Sequence, residues 1–220
     1  MRLYHFVNEQ YGLDDIRQRR LKIATLQDLN DPFELLSIDC SNESIRRAFT
    51  VLKDELSKNR GIICFSRKWD NPVLWSHYSD KHRGLCLGFD LPDGQNQVHR
   101  ISYSRQRLIA ELDKLAPSSV EAAIEMKKLL FTKYAHWRYE DEVRGFVTLE
   151  EQDSATQLYF VKFSEELKLK EVIVGACSTI SRNTLHKALG DLSSSVSAIK
   201  ARLAFKTFRV VRQRNSRLWE

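Results

Sequence analysis

The sequence predicts an α+β fold with a mixed or antiparallel central sheet and flanking helices. Short apolar stretches with strand character are interspersed with amphipathic helical segments along the 220 residues. The clearest unit is a strand at 61–66, a helix at 73–82 and a strand at 85–89. No internal repeat, low-complexity tract or proline-rich linker divides the chain. Residues 1–220 are therefore predicted to form a single domain, and this length can supply a full core.

Local signals define the elements of the first half. Residues 3–7 have the composition of a strand, and 13–20 have apolar residues at helical spacing. A second amphipathic helix is predicted over 42–58. Asn71-Pro72 predicts an N-cap followed by proline in the first turn. Gly84 is expected to end that helix in the left-handed conformation.

The second half is predicted to begin with a long helix. A capping box at 118–121 starts it, and helical spacing continues to about 137. The remaining predicted elements are strands at 143–149, 158–163, 171–175 and 205–212 and a helix at 181–189 closed by Gly190.

Positive charge is concentrated at the C-terminal end of the chain. The net charge is +6, and residues 200–220 hold seven Lys and Arg against one acid. This basic region predicts either a solvated edge strand, which charge protects from aggregation, or a nucleic-acid contact through Arg209, Arg212 and Arg214.

The composition also predicts a compartment. There is no run of about 18 to 20 apolar residues and no apolar stretch of the signal-peptide kind near residue 1. We expect a cytoplasmic protein that does not enter a membrane. Cys64, Cys86 and Cys177 lie among apolar neighbours and are expected to be buried. No CxxC pair or His-x3-His pair is present, so no metal is predicted.

Glu140-Asp141-Glu142 is the sharpest candidate for chemistry. Strand alternation points residues i and i+2 to one side, so both glutamates are expected to face one pocket. One carboxylate could then stabilise positive charge while the other accepts a proton. The alternative is a surface pair answered by Arg138 and Arg144, which would contribute little.

Two further motifs supply candidate binding residues. His5, next to Tyr4 in the first strand, could bond a substrate edge, although a lone histidine is more often a satisfied structural group. Asn30, Asp31 and Glu34 lie in an Asn-Asp-Pro-Phe-Glu turn that either holds a ligand or only caps local backbone.

An aromatic cluster begins the helix after Asn71. Trp75, His77 and Tyr78 could offer a platform for a flat ring, or they could pack between helix and sheet. The chain has no GxGxxG, P-loop or nucleophile elbow, so the phosphate-binding turns of those folds are absent from the sequence.

Together, YHF, NDPFE, WSHYSDKHRGLCLGFD and YEDEVR resemble an uncharacterised bacterial family, domain of unknown function 2971. The resemblance covers most of the chain through the VIVGA segment. It implies kinship and no particular activity.

A second resemblance implies chemistry. The chain is similar to ADP-ribosyltransferases, which carry His or Arg in a first strand and a late E-x-E followed by Val. The resemblance implies NAD as co-substrate, with His5 on a ribose or the nicotinamide amide and Tyr78 stacking on the ring. Glu142 would bond the nicotinamide ribose, and Glu140 would orient or deprotonate the acceptor, a protein or nucleic acid.

Three functional hypotheses follow. The first is an NAD-dependent ADP-ribosyltransferase or NAD glycohydrolase, such as a bacterial toxin or phage-defence effector. The second is a non-catalytic module that binds nucleic acid or a nucleotide. The third is a metal-dependent nuclease using Asp31, Glu34, Glu140 and Glu142, because carboxylate clusters can hold Mg²⁺.

Overall fold

The strands and helices were identified in a computed structural model that describes residues 1–92, 98–109 and 120–219. The strands are β1 Arg2–Val7, β2 Arg20–Thr25, β3 Arg60–Ser66, β4 Leu85–Asp90, β5 Val98–Arg100, β6 Ser102–Ser104, β7 Thr132–Tyr134, β8 Glu142–Thr148, β9 Tyr159–Lys162, β10 Lys168–Val174, β11 Ser197–Leu203 and β12 Val210–Arg212. The α-helices are α1 Glu9–Gln18, α2 Glu43–Asn59, α3 Pro72–Tyr78, α4 Val120–Leu130 and α5 Arg182–Leu189. This mixture confirms the α+β prediction.

The chain packs as two compact units, each built from separated segments. Unit 1 holds residues 1–22, 64–95 and 160–220, and unit 2 holds residues 23–63 and 96–159. Whether residues 1–220 form a single domain, as the sequence predicts, is not decided by this division, and the single domain stays a prediction. No helix among the described residues is both long and apolar enough to span a bilayer.

Unit 1 is organised around a mixed sheet. β4 pairs antiparallel with β1 and with β10, β10 pairs parallel with β11, and β11 pairs antiparallel with β12. Trp75, Cys86, Ile173 and Val210 lie in the apolar core of this unit. β12 ends the strand order and is only three residues long.

Unit 2 contains smaller pairings. β2 pairs antiparallel with β3, β5 pairs antiparallel with β8, and β6 pairs parallel with β7. α2 turns Phe49 toward Ile38 and Leu129, with Ile45 and Leu52 packed beside them, as its apolar spacing predicts.

The predicted cap at Asn71 is confirmed: its side chain caps α3, and Pro72 stands in the first turn of that helix. The side chains of Asn42 and Ser181 cap α2 and α5 in the same way. Gly190 has the positive φ of 54° expected of a residue that closes a helix.

The prediction for Gly84 was wrong. The left-handed residues after α3 are Asp80, Lys81 and His82, so the helix ends at Tyr78. Glycine is required at position 84 for another reason: an added Cβ would lie 2.2 Å from the carbonyl oxygen of Val7.

Three other expectations need correction. The helix predicted to reach 137 ends at Leu130, and its capping box at 118–121 begins outside the described residues. The strand predicted over 205–212 is confined to Val210–Arg212, because residues 204–209 form the turn that follows β11. Cys177 is exposed, since it lies in the loop after β10 and outside the sheet.

Candidate functional site

A cluster of five buried charged side chains lies in unit 2. Its members are Glu34, Lys133, Glu140, Glu142 and Arg144, which we call the buried charge cluster. Three carboxylates meet two cations, so the fully ionised cluster carries one net negative charge. Four of the five were predicted as site residues, and the structure brings these four together.

Arg144 joins two of the carboxylates. Its guanidinium donates to Glu34 Oε1 at 2.7 Å and, through Nε and Nη2, to the two oxygens of Glu142 at 2.9 and 3.1 Å. A planar fork matched to a carboxylate is the strongest form of such a bond. Arg144 is only 1% exposed, so its charge depends on these partners.

Lys133 lies among all three carboxylates. Its ammonium is 2.8 Å from Glu140 Oε2 and 3.4 Å from both Glu142 Oε2 and Glu34 Oε2. Burial favours the neutral amine, but Glu142, Glu34 and Glu140 together outweigh this effect and raise the pKa of Lys133. The ammonium therefore occupies the position that a metal ion would need for the nuclease hypothesis. Among the described residues, no group of three or more His, Cys, Asp or Glu is arranged to hold a metal.

The two glutamates converge by a route that differs from strand alternation. Glu140 is the last residue of a 3-10 helix over Ala135–Glu140, and Glu142 is the first residue of β8. Asp141 between them adopts the left-handed conformation, with φ 45° and ψ 48°. The chain thus turns sharply at Asp141, and both carboxylates reach Lys133.

The turn at 30–34 divides its residues between different roles. The buried Asp31 carboxylate accepts the Phe33 N–H at 2.9 Å, which is the local capping role. Glu34 points into the buried charge cluster. Phe33 is 57% exposed. Asn30 also lies in this unit, at the start of the turn.

A cleft of about 350 Å³ adjoins the cluster within unit 2. Lys133 lines it together with the exposed cations Arg105 and Arg107. The exposed rings of Phe33 and Tyr134 line it as well. The Arg107 guanidinium lies 5.1 Å from the centre of the Phe33 ring. The cleft therefore combines positive charge with flat apolar surfaces.

Sequence reasoning missed Lys133 and the residues of this cleft. The segment around Lys133 was predicted to be helical, whereas it forms β7, which pairs with β6 in the register Tyr103 to Lys133. The Tyr103 hydroxyl accepts the Glu142 N–H at 2.9 Å and so ties β6 to the start of β8. The only sequence signal that could have pointed to a buried Lys133 was its position among aromatic and apolar neighbours.

The other predicted binding residues lie in unit 1. His5 is half-buried, and its Nδ1–H donates to the carbonyl oxygen of Cys64 at 2.9 Å, since a carbonyl can only accept. Burial lowers the pKa of His5. Burial raises the pKa of Tyr4 to about 12, and the negative charge of the nearby Glu171 is a smaller cause of the same rise. Trp75 is fully buried and donates from its indole to Trp69 O at 2.6 Å.

His77 and Tyr78 line a shallow open depression of unit 1 together with residues 8–10 and Asp80. Their rings meet edge to face at 6.0 Å. Arg209, Arg212 and Arg214 are exposed and belong to the same unit.

Comparison with known proteins finds a similarity for one segment of the chain. Residues 74–145 match the family described as "Protein of unknown function (DUF2971)". The match covers about a third of the 220 residues, so it shows a similarity of this segment alone. The matched segment contains Lys133, Glu140, Glu142 and Arg144, whereas Glu34 precedes it. No curated protein and no solved structure matches the chain.

Proposed function

We propose that the cleft of unit 2 binds a nucleoside phosphate. The observation that carries this proposal is the meeting of Arg105 and Arg107 with the exposed rings of Phe33 and Tyr134 in one cleft. Guanidinium groups bind phosphate as a planar fork. Aromatic rings stack on bases, with about 1–3 kcal/mol per base.

The size of the cleft limits the ligand. Small-molecule sites occupy roughly 300–1,000 Å³, so about 350 Å³ is at the small end of that range. One nucleoside phosphate suits this volume better than a complete dinucleotide. The buried charge cluster would serve the cleft by fixing Lys133 and β7 in its wall, because a buried ionic network holds its members in one geometry.

Titration calorimetry tests the proposal with inorganic phosphate, adenosine, AMP and NAD as probes. AMP is expected to bind at least about tenfold more tightly than adenosine, because only AMP engages both arginines. Arg105→Gln with Arg107→Gln should remove that advantage, and Phe33→Ala should weaken AMP and adenosine alike. Lys127→Gln with Lys128→Gln is the matched control, since it removes two exposed charges from α4 of the same unit.

Two results would overturn the proposal. One is the absence of AMP binding to the wild-type chain at millimolar concentration. The other is an equal loss of AMP binding in the control variant, which would assign the effect to net charge alone.

NAD-consuming catalysis is a second candidate, because Glu140 and Glu142 contact Lys133, which lines the cleft, although both carboxylates are buried and do not line it themselves. In this reaction the bond between nicotinamide and ribose breaks, and nicotinamide leaves with the bonding electrons. An acceptor or water then bonds to the ribose carbon and releases its proton to Glu140. Glu142 would stabilise the positive charge that develops on the ribose.

Release of nicotinamide from NAD in a bacterial lysate tests this candidate. Wild-type chain should release nicotinamide, and Glu140→Gln or Glu142→Gln should lower the rate by about a hundredfold or more. Circular dichroism of each variant separates lost chemistry from lost folding. If AMP binds but wild-type chain releases no nicotinamide, the binding proposal stands and catalysis is rejected.

A further inference from the structure

The hairpin at the C-terminal end of unit 1 exposes two aromatic rings at its tip. β11 and β12 pair in the register Ala201 to Arg212, and the Ala204 N–H donates to Arg209 O at 2.9 Å across the turn. Within this turn, Phe205 is 91% exposed and Phe208 is 99% exposed. We call residues 197–217 the basic hairpin.

These two rings do not hold the hairpin in place. Val210 and Ala201 are buried in the core of unit 1, and the Val210 N–H donates to Asp70 O at 2.8 Å. The hairpin is therefore anchored at its base. A phenylalanine ring left in water forgoes the stabilisation that burial would give, so two exposed rings on one turn suit contact with a partner.

The charge around the rings defines the chemistry of that partner. Lys206, Arg209, Arg212, Arg214 and Arg217 are all exposed. Arg209 pairs with Asp70 at 3.0 Å. The Arg202 guanidinium lies 4.4 Å from the centre of the Phe205 ring. The partner is therefore expected to carry repeated negative charge together with flat apolar groups.

We infer that the basic hairpin binds single-stranded nucleic acid, with Phe205 and Phe208 stacking on bases and the arginines contacting phosphates. Such proteins combine a positively charged track with aromatic stacking platforms. Exposed cations continue along the chain from Lys206 at the tip to Arg217, which suits a polyanion with regularly spaced phosphates. This surface belongs to unit 1, whereas the cleft proposed to bind a nucleoside phosphate belongs to unit 2.

Fluorescence anisotropy with labelled twelve-base oligo(dT) and oligo(U) tests the inference on the full chain. Binding is expected to weaken at least about tenfold between 50 and 200 mM salt, because phosphate contacts release counterions. Phe205→Ala with Phe208→Ala should weaken it at least about tenfold through lost stacking. Arg212→Glu with Arg214→Glu should weaken it further and flatten the salt dependence.

The controls separate this surface from general charge and from the cleft. Arg17→Glu with Lys187→Glu reverses two exposed charges on α1 and α5 of the same unit and should retain binding. Arg105→Gln with Arg107→Gln in unit 2 should retain it too. The inference is overturned if the cleft variant alone loses the oligonucleotide, or if the double phenylalanine variant binds as wild type does. Binding to phosphatidylserine vesicles in place of oligonucleotides would also overturn it.

Discussion

The buried charge cluster and the basic hairpin use similar side chains under opposite conditions. In the cluster, Arg144 is 1% exposed and bonds two carboxylates. On the hairpin, Arg212 and Arg214 are exposed to water. A buried charge has lost its contact with water and needs an ion-pair partner to be stable, whereas an exposed charge remains hydrated without one. Charge changes should therefore alter stability in the cluster and binding at the hairpin.

The largest effect is expected for Arg144→Met. This change leaves Glu34 and Glu142 without their main cation, and breaking a buried pair costs about 3–5 kcal/mol. Urea unfolding measures the loss. Arg105→Met, an exposed arginine of the same unit, is the matched control and should change stability by no more than about 0.5 kcal/mol. A loss below about 1 kcal/mol for Arg144→Met would contradict the claim that the buried charge cluster stabilises the fold.

Lys133→Met should cost about 3 kcal/mol at neutral pH, because three buried carboxylates then face one arginine. The wild-type ammonium has a raised pKa, so its contribution to stability is complete below its ordinary pKa of 10.5 and is lost only in strong alkali. Urea unfolding of wild type and variant should therefore give about the same loss at pH 7 and at pH 9. A loss that disappears by pH 9 would show that the Lys133 amine is already neutral there.

Asp15 sharpens the comparison, because it is a buried carboxylate of α1 whose Oδ2 lacks a hydrogen-bond partner. Burial, then Asp14, raises its pKa from 3.8 to about 7. The folded state therefore binds the proton more tightly, and stability falls as pH rises from about 4 to 7. Asp15→Asn should be more stable than wild type by about 1–3 kcal/mol at pH 7 and about equal at pH 4. If Asp15→Asn and wild type were equally stable at both pH 4 and pH 7, this explanation would be contradicted.

The smallest effect on stability is expected at the hairpin. Arg212→Glu with Arg214→Glu should change the free energy of unfolding by no more than about 0.5 kcal/mol, because both side chains are exposed. Urea unfolding beside the oligonucleotide titration checks this. A loss above about 2 kcal/mol would mean that these arginines stabilise the fold.

Local signals were sufficient for many elements. The Asn71-Pro72 cap, the apolar face of α2 and the closure of α5 at Gly190 depend on residues within a few positions of each other. The helix over 73–82 was cut short, because three left-handed residues follow Tyr78 and only the fold determines them.

The candidate site was predictable only in part. Glu140, Glu142 and Arg144 lie close in sequence, so their pattern pointed to one place. Lys133 takes its role from Glu34, which is distant in sequence, and from β7, which exists only through pairing with β6. Such long-range contacts leave no periodic signal in the sequence.

The position of a bound nucleotide tests the central proposal most directly. A crystal structure of the chain soaked with AMP would provide it. We predict the phosphate against Arg105 and Arg107 and the base against Phe33 or Tyr134, with the buried charge cluster unchanged. AMP bound elsewhere, or no AMP at a concentration that saturates binding in solution, would contradict the account.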